Sequence, residues 1–205
     1  MIKSEMENSM EKELWKPGNM LYPLPAVMVS CQEKGKSPNI ITVAWTGTVC
    51  TNPPMVYVSI RPERYSYSII KNSGEFVINL TTRELARATD FCGVRSGREV
   101  DKFAEMKLTP VESKTVLAPG ILESPVNIEC KVKRIEELGS HHMFLSEVTG
   151  VRVDKKYMDE NGRFDLSLSH PLIYSHGEYF DAGEKLGRFG YSVQKPKKEK
   201  KRREK

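Results

Sequence analysis

Short apolar runs broken by proline and polar punctuation, not long helical periods, set the pattern of this chain. Pro23 and Pro25 introduce Ala26 to Cys31, an apolar run that predicts a strand. A polar turn from Glu33 to Asn39 leads into Ile40 to Trp45, its predicted partner, so 26 to 45 reads as a hairpin. Pro53-Pro54 precedes a third predicted strand, Met55 to Ile60. The following segment predicts a short helix with Ser66 as N-cap and Asn72 to Gly74 as its stop. Glu75 to Leu80 predicts a strand, and Thr82 opens a helix over Arg83 to Phe91. A loop over Cys92 to Gly97 and one helical turn at Asp101 to Glu105 come next. From Val126 to Ile135 the chain alternates, with Val126, Ile128, Cys130 and Val132 set against Asn127, Glu129, Lys131 and Lys133. That period of two predicts a half-buried strand. Met143 to Val153 predicts another, joined to it through Gly139 to His142. A polar turn at Met158 to Arg163, a short strand at Pro171 to Tyr174 and an irregular aromatic stretch at Gly177 to Tyr191 complete the body. Residues 4 to 14 predict a short surface helix ended by Pro17-Gly18.

No repeat of 20 to 50 residues is visible, which argues against a solenoid or propeller. Seven or so strands with a few short helices predict a mainly β protein, an antiparallel, closed or nearly closed barrel with appended helices. The 205 residues suit one domain. We divide the chain into an N-terminal helical extension at 1–18, a barrel domain at 19–192 and a basic, disordered tail at 193–205. The net charge of +5 resides in that tail, since Lys195 to Lys205 is almost entirely Lys, Arg and Glu. Nucleic acid is thereby reduced to a minor reading confined to the tail. The cysteines at 31, 50, 92 and 130 form no Cys-x-x-Cys pair, so no metal is expected and reduced, buried thiols are. No apolar run approaches the roughly 20 residues needed to cross a bilayer, and no signal-peptide core is present. The expected location is the cytoplasm, with no membrane partner.

The chemistry concentrates between Asn39 and Ser68, where hydroxyls, two arginines and Trp45 crowd together. Arg61 to Ser68 suits a phosphate, because a helix N-terminus offers unpaired N–H groups and Arg64 a bidentate guanidinium. A capped surface helix with exposed arginines is the plain alternative. Trp45, followed by Thr46, Gly47 and Thr48, is either core or a platform for a planar ligand. His141 and His142 are adjacent and, on a strand, would face opposite sides, so they do not chelate one metal together. Lys102, after a Ser-Gly loop, reads as a solvated turn residue or a site cation. No dinucleotide, Walker or nucleophile–base motif is present.

Several segments taken in order resemble one family. These are Asn39 and Trp45, Cys50-Thr51-Asn52-Pro53-Pro54, Ser59, Arg64-Tyr65-Ser66, Asn72 to Asn79, and Ser96-Gly97 before Asp101-Lys102-Phe103. Gly139-Ser140-His141 before Phe144 to Val148 extends the match to roughly residues 20 to 190. The chain resembles the flavin reductase-like, FMN-binding split-barrel family, flavoredoxin type. The resemblance implies an antiparallel split β-barrel of six strands and a homodimer with FMN near the subunit interface. It implies electron transfer through non-covalently bound FMN, by an FMN-dependent oxidoreductase or an electron-transfer flavoprotein. The alternative is an NAD(P)H:flavin reductase supplying reduced flavin to a partner, and a redox partner protein or NAD(P)H would be the electron source. A further alternative is a non-enzymatic binding module whose basic tail contacts nucleic acid. By position, Ser59, Arg64 and Ser66 would meet the phosphate. Asn39, Thr42, Ala44, Trp45, Thr46, Cys50 and Thr51 would line the ribityl chain and ring. Lys102, His141 and Tyr174 would complete the site, some of them across the subunit boundary. Ser140 stands where the family often has an acid, Ser146 where it has glycine and Ser66 where threonine is common.

Overall fold

The computed structural model describes residues 12–193. The expected helix at 4–14 lies largely outside the described residues, as does the basic tail; Lys12 to Leu14 are irregular. Twelve strands and three α-helices follow among the described residues. The first strands are β1 (Leu24–Pro25), β2 (Val27–Cys31), β3 (Asn39–Val43), β4 (Thr46–Thr51) and β5 (Pro54–Ile60). Helix α1 (Tyr65–Ser73) and β6 (Glu75–Asn79) lead to α2 (Ala86–Val94) and the single turn α3 (Lys102–Glu105). Two short strands, β7 (Pro110–Val111) and β8 (Gly120–Ile121), precede the long pair β9 (Val126–Glu137) and β10 (His142–Val153). The chain closes with β11 (Leu172–Ser175) and β12 (Glu178–Asp181).

Seven strands form one antiparallel sheet in the order β3-β2-β6-β9-β10-β5-β4, one strand more than the resemblance implied. Its two edges, β3 and β4, are consecutive in the chain and joined only by Ala44 and Trp45. A two-residue link cannot span a flat seven-stranded sheet, whose strands lie about 4.8 Å apart. The sheet therefore curls until its edges meet at this bend. The Ser59 N–H donates to the Trp45 carbonyl at 2.8 Å and fastens the corner. The predicted strand to Trp45 accordingly stops at Val43, and the strand β4 was not foreseen. β4 carries small polar residues with no inward apolar row, and pairing with β5 (Thr46 opposite Val58, Thr48 opposite Val56) holds it extended.

Two apolar clusters sandwich β2 and β3. Inside the barrel lie Val27, Val29, Cys31, Ile41 and Val43 with Phe76, Phe144 and Ile70 of α1. On the other face, Met28 and Ile40 meet Leu85, Ala88 and Cys92 at α2 and Phe103 of α3. Burial on both faces explains why 26 to 31 is apolar but for the buried Ser30, and not alternating. Phe76 and Phe144 are fully buried, each contributing on the order of 1.5–3 kcal/mol by removal from water.

Helix α1 ends as predicted: Gly74 adopts φ +70° and its N–H donates to the Ile70 carbonyl at 2.9 Å. Its start differs. Arg64 is the N-cap, no side chain caps the helix, and Ser66 lies buried in the first turn. The alternating strand at 126–135 is also corrected. Asn127 and Glu129, expected on the solvent face, are buried. The segment through β7 and β8 covers that face: Asn127 Nδ2 donates to the Ile121 carbonyl at 3.0 Å and to Asn79 Oδ1 at 2.9 Å. A last three-stranded sheet, β1-β11-β12, packs beside the barrel corner and replaces part of the expected irregular stretch.

Candidate functional site

A two-lobed cleft opens where the sheet edges meet. The larger lobe, about 640 Å³, has the β3–β4 bend as its floor and includes Trp45, His141 and Tyr174. The smaller lobe, about 410 Å³, is bounded by the start of α1 and the end of α2, and includes Ser66, Ser96 and Lys102. Ile41, Arg61, Arg64 and Gly93 line both, so the lobes are one continuous site.

The seam is built by close packing. Thr42 Oγ1 donates to the Thr89 carbonyl at 2.5 Å, tying β3 to α2. Gly93 lies so near that strand that a Cβ there would stand 3.3 Å from Thr42 Cβ. Asn39, at the start of β3, donates from Nδ2 to Ser66 Oγ at 2.7 Å and fixes the first turn of α1. Lys102 is neither a solvated turn residue nor an open cation. It is 4% exposed, and its Nζ donates to the carbonyls of Ile40 and Cys92, both at 2.7 Å. Burial draws its ammonium below the ordinary lysine range, and no carboxylate pairs with it among the described residues. The neighbouring thiols are inert: burial pushes Cys31 up to about 12 and Cys92 up to about 11.

Arg64 stands where the lobes join, at the uncapped start of α1, and forms no ion pair among the described residues. Arg61 by contrast contacts Glu63 at 3.6 Å, and Arg98 lies over the Tyr65 ring. In the larger lobe the Trp45 and His141 rings stack at 6.3 Å with an interplanar angle of 20°. Burial, then the charge of Arg61, holds His141 below its ordinary value of 6.5, so it is neutral at pH 7. Ser140 Oγ lies 3.0 Å from His141 Nδ1, which leaves Nε2 free of that contact.

Of the thirteen residues singled out in the sequence, ten line the cleft: Asn39, Thr42, Ala44, Trp45, Ser59, Arg64, Ser66, Lys102, His141 and Tyr174. Thr46, Cys50 and Thr51 do not. Thr46 is buried and its hydroxyl donates to the Tyr57 carbonyl at 2.6 Å, while Cys50 and Thr51 stand at the far end of β4. Residues not foreseen also line it, chiefly Asp90 and Tyr179, whose hydroxyl donates to Asp90 Oδ1 at 3.3 Å. They are 89 positions apart and share no local motif, so only the tertiary fold brings them together. Among the described residues no group of His, Cys, Asp or Glu is placed to hold a metal ion, and no helix is long and apolar enough to cross a membrane.

The residues present suit a phosphorylated planar ligand. An unpaired guanidinium sits at a helix start, an uncompensated ammonium lies behind it, and a flat aromatic slot adjoins both. Comparison with known proteins bears on family and fold. The family model for the flavin reductase like domain matches residues 20–183. Flavoredoxin of Desulfovibrio vulgaris superposes with a TM-score of 0.83 at 33% identity, covering 90% of this chain and 100% of that one. Flavoredoxin from Methanosarcina acetivorans gives 0.79 at 27% identity, covering 89% and 100%. An uncharacterised protein of Archaeoglobus fulgidus is 34% identical over 180 residues, 87% of this chain and 94% of its own.

Proposed function

The chain belongs to the flavin reductase-like family, and from that premise we propose that it is an FMN-binding flavoprotein of the flavoredoxin type, passing electrons through non-covalently held FMN. The observation that carries FMN, beyond a flavin-related redox function, is Arg64. An arginine without a carboxylate, at the junction of a polar and an aromatic lobe, calls for an anionic group attached to a ring.

In this reading Arg64 binds the phosphate, with the hydroxyl of Ser66 and the first turn of α1 beside it. Asn39 holds Ser66 in place. Lys102 acts behind them, keeping β3 and the end of α2 at fixed separation and adding positive potential to the smaller lobe. Thr42, Ala44 and Ser59 border the ribityl path, and Trp45 offers the ring a flat face. Neutral His141 and Tyr174 close the larger lobe against water. When bound, the flavin supplies the electron transfer, and the protein supplies binding, orientation and electrostatics. Cys50 and Thr51 stand outside this chain's own cleft, so a contact of theirs with FMN is made in the cleft of a second copy; the proposal therefore includes a homodimer.

The protein is expected to purify yellow and to release FMN on denaturation. A colourless protein that cannot be reconstituted with FMN removes the proposal. Arg64→Ala is expected to weaken FMN binding by about tenfold to a hundredfold, the loss of a charge-assisted hydrogen bond worth about 1.5–3 kcal/mol. Riboflavin, which lacks the phosphate, should bind both proteins alike. Equal FMN affinity in the two proteins, measured by fluorescence quenching, would take Arg64 out of the site.

A further inference from the structure

The cleft is electrically polarised. Arg61 and Arg64 stand at the seam and Arg95, Arg98 and Lys102 in the smaller lobe. Glu63, also in the smaller lobe, is paired with Arg61. In the larger lobe Asp90 of α2 is the one acidic side chain among the described lining residues. Asp90 forms no ion pair among the described residues, so its charge is not cancelled locally. Tyr179 of β12 holds it across 89 positions of sequence by donating its hydroxyl to Oδ1. Burial, then the Asp90 charge, pushes the Tyr179 phenol up to about 12, so the phenol stays a donor at neutral pH. One carboxylate oxygen is thereby engaged, and the other accepts no hydrogen bond among the described residues. Tyr174 packs edge-on against Tyr179 at 5.7 Å between centroids and stiffens the wall. His141, held below its ordinary value, and Trp45 bring no charge beside the carboxylate; Arg61 and Arg64 also line this lobe, at its junction with the smaller one.

We propose that Asp90, braced by Tyr179, is a specificity-determining residue at the ring end of the cleft. It selects a second reactant that presents a positive charge or an N–H donor, such as an amidine, amine or primary amide, and it disfavours carboxylates. The phosphate belongs to the cationic end, so the carboxylate end is left to the molecule that exchanges electrons with the ring. This inference rests on the flavin reading above.

The test is equilibrium binding to the FMN-loaded protein of three size-matched probes, benzamidine, benzamide and benzoate. Binding is read from the visible absorption of the bound flavin and by calorimetry. Benzamidine should bind tightest and benzoate weakest. In Asp90→Asn the benzamidine-to-benzoate affinity ratio should fall by about fivefold, the effect of one partly exposed ion pair. Asp90→Glu should keep the order. FMN affinity should stay within about twofold in both variants. An unchanged ratio in Asp90→Asn, or a wild type without preference for benzamidine, overturns the inference. So does loss of FMN from Asp90→Asn, which would assign the carboxylate to the flavin. Failure of the wild type to bind FMN instead fells the flavin reading. Calorimetry of the flavin-free protein with the same probes then decides Asp90 by itself, a missing preference overturning its role.

Discussion

The hydrogen that stands for a side chain at position 97 decides whether Asn39 can hold Ser66. A Cβ on Gly97 would fall on the Asn39 amide, 2.6 Å from Cγ, and 2.9 Å from the Tyr65 ring. Neither neighbour can yield, because the Asn39 side chain is bonded to Ser66 and Tyr65 begins α1 under the Arg98 guanidinium. Gly97→Ala should therefore destabilise the fold by about 1–3 kcal/mol and weaken FMN binding as well. Urea unfolding and an FMN titration check this, and a variant as stable as wild type would show that the loop gives way freely. The same scale shows what local sequence could reveal. Arg64, Ser66 and Trp45 stood open on local chemistry, between a capped surface helix or a core ring and a ligand site, and it was the order of motifs that favoured the site. Lys102 was legible as a residue but not in its role, since nothing local announces that two carbonyls from distant elements close over it. Asp90 and Tyr179 carried no local signal, being ordinary residues until α2 and β12 meet.

Strand β9 shows how an element's periodicity can be right while its environment is not. Val126, Ile128 and Cys130 do alternate with polar residues, but the covering segment around β7 and β8 buries Asn127 and Glu129 too. Glu129 is 1% exposed, and its carboxylate accepts from Lys114 N at 3.0 Å, Thr115 N at 2.6 Å and Thr115 Oγ1 at 2.7 Å. Burial by itself would raise its pKa, yet these hydrogen bonds outweigh it and hold the group below the ordinary 4.5. A carboxylate whose folded pKa lies below its unfolded value adds stability that is complete above about pH 4.5 and drains away as pH falls through the folded value. Glu129→Gln should thus cost about 1–3 kcal/mol at pH 7, where charged acceptors are lost, and should flatten the acid limb of the stability curve. Urea midpoints between pH 3 and 7 check both, and parallel curves for the two proteins would contradict the argument. The strands β4 and β12 escaped sequence reading for a related reason: both are short, mixed in polarity and defined by a partner strand more than by an apolar face.

At the scale of the molecule, the short β3–β4 link curls the sheet, and the curl creates the cleft, but it also leaves β4 as an edge. Thr48, Val49 and Thr51 are exposed there, Val49 at 49%. An exposed edge strand presents a row of unpaired backbone groups that proteins usually cover. Those exposed positions adjoin Cys50, and Cys50 and Thr51, with the buried Thr46, are the residues matched by position to flavin contacts yet absent from this chain's own cleft. Both facts are met if a second copy covers β4. The protein, 23.3 kDa as a single chain, should then sediment at twice that mass. Val49→Lys, which places a charge on the edge without touching the barrel core, should weaken the dimer and FMN binding together while circular dichroism stays unchanged. Dilution of the wild type below its dimerisation constant should release FMN by the same coupling. A monomer that holds FMN at full affinity would break the link and show that one chain's cleft suffices.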